Sequence, residues 1–127
     1  MDNCENIKDI LCLIVTLQRN ICTNDGCENC TKPYLGPNEC ILYNTRPVQF
    51  QSCQSEGLWT MPYTLNGTEG TSSIFKVENV EGNCATFRVL AEAPSGSTCP
   101  YVLTNNYFTI KLDCILALQC LNDTCTA

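Results

Sequence analysis

The chain has no histidine, one tryptophan and only seven lysines and arginines, and its longest near-continuous apolar run, Ile10 to Leu17, covers eight residues. Each shortage removes a class of function. Without histidine the commonest general base is missing, and with it the Ser-His-Asp and Cys-His sites of nucleophilic catalysis. The few basic residues are scattered and the net charge is −6, which argues against nucleic acid or an anionic membrane as partner. An eight-residue run is too short to span a bilayer. Lys8 is the only basic residue upstream of it and no small-residue cleavage site follows, so a secretory leader is not expected. Glycine-rich phosphate loops and dinucleotide fingerprints are absent as well. Thirteen acids are present, but in no catalytic pattern, and they read as solvated surface. The sequence therefore predicts no enzyme and no cofactor.

Cysteine is abundant instead. Twelve cysteines in 127 residues make up about a tenth of the chain, the range of disulfide scaffolds. Such scaffolds are usually shorter, because their bridges replace a core too small to hold itself. A chain of this length buries an ordinary apolar core. Six bridges at roughly 2–4 kcal/mol each would add about 12–24 kcal/mol, against a net stability of about 5–15 kcal/mol for a whole domain. The cysteines exceed what folding needs. Some are expected to serve metal binding or covalent linkage between chains.

Along the chain, residues 4–19 read as an amphipathic helix. Ile7, Ile10, Leu11, Ile14, Val15 and Leu17 keep the three-four spacing of one apolar face. Asp2 or Asn3 suits its start and Arg19 its end. From Asn20 to Cys40 the pattern dissolves into turn chemistry, with Cys22, Cys27, Cys30 and Cys40 inside it. Cys27 and Cys30 form a lone CxxC. With Cys22 and Cys40 it could complete a four-thiolate zinc site, but the spacing is irregular and local disulfides are the reading preferred here, so no metal is expected.

Beyond Cys40, short runs alternate with a period of two: Val48 and Phe50; Phe75 and Val77; Ala85, Phe87 and Val89; Phe108, Ile110 and Leu112. Turn signals at Asn66-Gly67, Glu81-Gly82-Asn83, Pro94 to Ser97 and Asn105-Asn106 separate them. The run Cys114 to Leu121 reads as a central buried strand. The expected fold is mainly β, an antiparallel β-sandwich or jelly roll with an N-terminal helix and a cysteine-rich connector. Residues 1–40 form the arm and connector; 41–127 form the β domain with a short C-terminal tail. Chain ends are exposed and mobile. Cys4 and Cys125, near the two ends, and Cys12 and Cys120 on the flanking elements are therefore the candidates for bonds between subunits.

Residues Ser73 to Leu90, containing Val77-Glu78-Asn79-Val80-Glu81-Gly82-Asn83-Cys84-Ala85-Thr86, together with Thr104 to Asp113 and Ala117-Leu118-Gln119-Cys120-Leu121, resemble the CotY/CotZ/ExsY family of cysteine-rich spore coat and exosporium proteins. Tyr43 to Val48 also looks like a segment of shorter members. The resemblance implies a structural protein that assembles with itself, and with other coat proteins, into disulfide-stiffened lattices around the spore. It implies synthesis in the mother-cell cytoplasm, without a signal peptide, and a place at the spore surface. The chain lacks the histidine-rich tail of larger members, which leaves sheet and filament both open. Two readings from other classes stand beside it. One is an extracellular binding module with all twelve cysteines paired internally; the other is a zinc protein using the connector.

Overall fold

A computed structural model of the chain describes residues 3–20 and 44–126. It is built mainly of antiparallel strands, with one N-terminal helix. The helix α1 spans Asn3–Asn20. The strands are β1 (Val48–Ser52), β2 (Met61–Leu65), β3 (Thr68–Ser72), β4 (Phe75–Glu81), β5 (Cys84–Glu92), β6 (Tyr101–Lys111) and β7 (Ile115–Cys120). Five of them form one sheet in the order β6-β5-β4-β1-β7, while β2 and β3 form a separate hairpin.

That sheet coils on itself. Flat, β1 and β6 would lie three strand spacings apart, about 14 Å, yet the ring of Phe50 on β1 sits 5.2 Å from Phe87 on β5 and 6.4 Å from Phe108 on β6. The fold-over begins where β1 and β4 share a single register pair, Val48 with Phe75. From there the β1–β7 pair crosses the face of the β4–β5–β6 meander, so two β layers face each other as in a sandwich. Phe50, Phe75 and Phe87 are fully buried between them, and Phe108 closes on Phe75 edge-on at 5.0 Å. This arrangement also explains how three residues, the 3-10 turn Leu112–Cys114, suffice to carry the chain from one sheet edge to the other.

The period-two runs occupy the strands as their alternation predicts, and each departure has a local cause. Register shifts between Val77 and Asn79, so Val80, of the opposite parity, returns to the core side opposite Ala85. A second irregularity lies at Arg88/Leu90. It absorbs Asn105-Asn106, expected as a turn, into the middle of β6: the buried Thr104 hydroxyl donates to the Val89 carbonyl and accepts from the Asn106 N–H. Three turns do form where expected, one of them at Pro94 to Ser97, where the Ser97 N–H donates to the Pro94 carbonyl. Asn66 and Gly67 take positive φ (52° and 81°) between β2 and β3, and Gly82 does so at 60° between β4 and β5, the conformations that tight hairpins require.

The expectation of a central buried strand for Cys114 to Leu121 is corrected. Cys114 lies in the 3-10 turn, and β7 is an edge strand with Leu116 exposed. Helix α1 packs Ile7, Leu11, Ile14 and Val15 into the main core, which leaves Ile10, Leu13 and Leu17 outside. The apolar arc is wider than the described core face that covers it. At the C-terminal end of α1 the Gln18 amide donates to the Val77 carbonyl at 2.8 Å and accepts from the Arg46 N–H at 3.0 Å. This pins the helix across the junction of β1 and β4.

Candidate cross-linking and assembly sites

The fold sorts the described cysteines into two groups. Cys53 is bonded to Cys114 and Cys99 to Cys125. The first bond ties the end of β1 to the turn linking β6 and β7, next to the hydrogen bond from the Cys53 N–H to the Cys114 carbonyl. The second ties the C-terminal tail to the segment entering β6. There the tail also bridges Thr124 to Thr45 and Thr126 to Tyr101. The first bond extends the existing β1–β7 pairing past Ser52 and Ile115, and the second joins the segment before β6 to the tail after β7. Cys125 was expected in a mobile tail reaching toward another subunit. It is 6% exposed and bonded within the chain, because the tail lies in register against Thr45 and Tyr101 instead of hanging free.

Three cysteines are unpaired among the described residues: Cys12, Cys84 and Cys120. Cys12 is exposed on α1, on the side turned away from the buried Leu11 and Val15. Cys84, not singled out by the sequence, opens β5 opposite Lys111 and Glu81 and is partly buried. Cys120 ends β7 and is exposed. Cys4 falls in the first turn of α1, but its side chain lies outside the described residues, as do Cys22, Cys27, Cys30 and Cys40 entirely. Among the described residues no group of three or more His, Cys, Asp or Glu side chains is placed to hold a metal ion.

The surroundings of Cys120 are specific. Arg46 reaches Asp123 through two hydrogen bonds, at 2.6 and 3.0 Å, and both lie beside the thiol. Partial burial raises the Cys120 thiol above its ordinary value; Arg46 opposes this and Asp123 adds to it. The same pairing holds the Asp123 carboxyl below its usual range and raises Arg46. The thiol is thus kept protonated, and its reactivity is restrained rather than primed.

β7 carries no charged side chain, and β1 is its one strand neighbour among the described residues. The other polar surfaces are self-contained. On the outer face of the meander, Arg88 donates to the Thr104 carbonyl at 2.6 Å and lies 5.1 Å from the Tyr107 ring centre. A buried Glu78 oxygen without a hydrogen bond sits 3.9 Å from Lys76 and 4.0 Å from Arg88. A shallow groove beside the β2–β3 hairpin is lined by Tyr63, Thr64, Glu69, Thr71 and Asn106 among others.

What the site holds is therefore a supply of thiols on separate elements of a disulfide-fastened fold, beside an uncharged sheet edge. Comparison with curated proteins and with solved structures gives no match. A family model does match: that of spore coat protein Z, over residues 1–105, most of the chain including α1 and the cysteine-rich segment after it. The chain belongs to the spore coat protein Z family, and so to the structural proteins of the spore coat.

Proposed function

We propose that this chain is a self-assembling building block of the spore's outer layers, folded on its own core and then cross-linked between copies through cysteines that the fold leaves unpaired. The observation that carries this is the division of the cysteines. Two intrachain bonds serve the fold, while Cys12 and Cys120 stand exposed on different elements and unpaired among the described residues. An exposed thiol on a folded surface is costly to leave idle in an oxidising setting, since it exchanges with any neighbouring disulfide. Placed at the spore surface, in coat or exosporium, after synthesis in the mother cell, the chain would meet oxidant only once assembled. Cys4, at the start of α1, is a further candidate, and other coat proteins are candidate partners. Sheet and filament are both compatible with this mode of joining. A binding module with every cysteine paired internally would require Cys12, Cys84 and Cys120, unpaired among the described residues, to bond to Cys4, Cys22, Cys27, Cys30 or Cys40.

The test is a comparison of serine variants. Cys12→Ser with Cys120→Ser should leave a folded chain whose assemblies dissolve on boiling without reductant. The parent should need heat and reductant together. Parent-like resistance in the double variant would remove these two cysteines from the cross-link. Cys125→Ser should act differently, loosening the fold by roughly 2–4 kcal/mol, read as a lower chemical-denaturation midpoint.

A further inference from the structure

We propose that the C-terminal tail, residues 121–126, is a redox-operated latch. The bond between Cys99 and Cys125 fastens it in a slot between the segment leading into β1 and the start of β6; breaking that bond releases the tail and opens the slot. The latch belongs to the single chain, so it stands or falls apart from self-assembly.

The tail fills the slot as one extended strand. On one side Thr45 and Thr124 exchange both backbone hydrogen bonds, at 3.0 and 2.9 Å, and the Leu121 N–H donates to the Pro47 carbonyl at 2.8 Å. The Thr126 N–H donates to Asn44 Oδ1 on that side, while Thr126 bridges Tyr101, in parallel, on the other. Thr45 is 2% exposed beneath these contacts.

What the tail lacks is apolar anchorage. Asn122 and Asp123 are exposed, Leu121, Thr124 and Thr126 are half-buried, and Cys125 is its one buried side chain. Ordering a chain end costs backbone entropy, and chain ends stay loose unless something ties them down. Hydrogen bonds taken in exchange for water return little net. The Arg46–Asp123 pair is partly exposed and returns little as well. The tie that remains is the bond from Cys125 to Cys99. Cys99 stands just before Tyr101, the tail's partner on that side, so the bonded tail cannot leave its slot.

Access to the bond is one-sided. Cys125 is buried, whereas Cys99 is partly exposed. A thiolate from solution therefore attacks the Cys99 sulfur: a new S–S bond forms there, the Cys99–Cys125 bond breaks, and Cys125 leaves as a thiolate that takes up a proton. A second thiolate displaces Cys99 from the mixed disulfide. Both cysteines are then thiols, and polar contacts alone hold the tail. Closing runs the other way. With dioxygen as oxidant, the two thiols give up two protons and two electrons, one S–S bond forms, and the oxygen leaves as hydrogen peroxide. A chain made in a reducing compartment would carry the latch open and close it on meeting oxidant.

The test is hydrogen exchange read by mass spectrometry on the full-length oxidised parent, Cys99→Ser and Cys53→Ser, with circular dichroism as the fold check. In the oxidised parent, peptides containing Thr45 and Thr124 should be protected along with those of β5. In Cys99→Ser the Thr45 and Thr124 amides should exchange within about tenfold of the rate of an unstructured chain, while β5 keeps roughly a hundredfold protection or more. Cys53→Ser, which opens the other bond, should keep the tail protected. The parent in reductant should show the loosened tail as well. Tail protection that survives in Cys99→Ser would overturn the latch, because polar contacts would then hold the tail without the bond. Loss of protection at Thr124 and in β5 by the same factor would overturn it too, because the tail would then open only with the whole fold.

Discussion

Phe50 is the residue on which the two β layers meet: it lies within 5.5 Å of Phe75 and 5.2 Å of Phe87 and also touches Phe108 and Trp59. Truncation to alanine should therefore cost roughly 3–5 kcal/mol, measured by denaturant unfolding of the oxidised chain, whereas Tyr107→Ala on the outer face should cost far less. The two intrachain bonds differ in the loops they close. Cys53–Cys114 spans 61 residues and Cys99–Cys125 spans 26, so loop entropy gives the first roughly 0.8 kcal/mol more. Cys53→Ser should lower stability more than Cys99→Ser. At Cys120 the raised thiol value means that thiolate is the minor form near neutrality. Its reaction with a disulfide reagent should speed up about tenfold per pH unit there, and a flat rate across pH 6–8 would contradict the assignment. Asp123 has the opposite sign. Its carboxyl is held low by Arg46, so the pair's contribution is present above the ordinary carboxylate value and is lost as pH falls through the depressed one. Both partners are partly exposed, which keeps the effect below about 1 kcal/mol. Asp123→Asn should melt slightly below the parent at neutral pH and match it in acid.

Elements were legible where one face alone met the core. The alternation of Phe75, Val77, Ala85, Phe87 and Val89 marks β4 and β5, Gly82 marks the turn between them, and Asn66-Gly67 marks the turn between β2 and β3, by backbone conformations that few other residues accept. β2 and β3 were not legible as strands, because their burial is shallow and Thr68 to Ser72 carries no apolar residue. β7 was read as buried since its composition is apolar, but composition does not report position within a sheet; an apolar edge and an apolar centre look alike. The helix was correctly placed, though only half of its apolar arc finds a partner among the described residues. Leu11→Ala, at the buried half, should destabilise by about 2–5 kcal/mol, while Leu13→Ala at the exposed half should leave monomer stability nearly unchanged. A large loss from Leu13→Ala would show that this ridge is covered in the folded chain. Disulfide pairing was not legible at all, since twelve cysteines allow far more connectivities than spacing can distinguish. The register of β1 on β7 brings 53 to 114, and the tail's bridge to Tyr101 brings 99 to 125.

At the scale of the whole molecule, the two kinds of cysteine belong to two stages. On the proposed function, a chain folded on its own core and bonded within itself would associate without first ordering its contact surfaces. On the same proposal, thiols unpaired among the described residues would make that association permanent. The measurement to make is negative-stain electron microscopy of the chain purified without reductant, before and after boiling, with and without a thiol. Regular sheets or filaments that withstand boiling alone and disperse with boiling plus thiol are the expected result. Dispersed particles in every condition, with a mass showing all cysteines paired inside one chain, would contradict it.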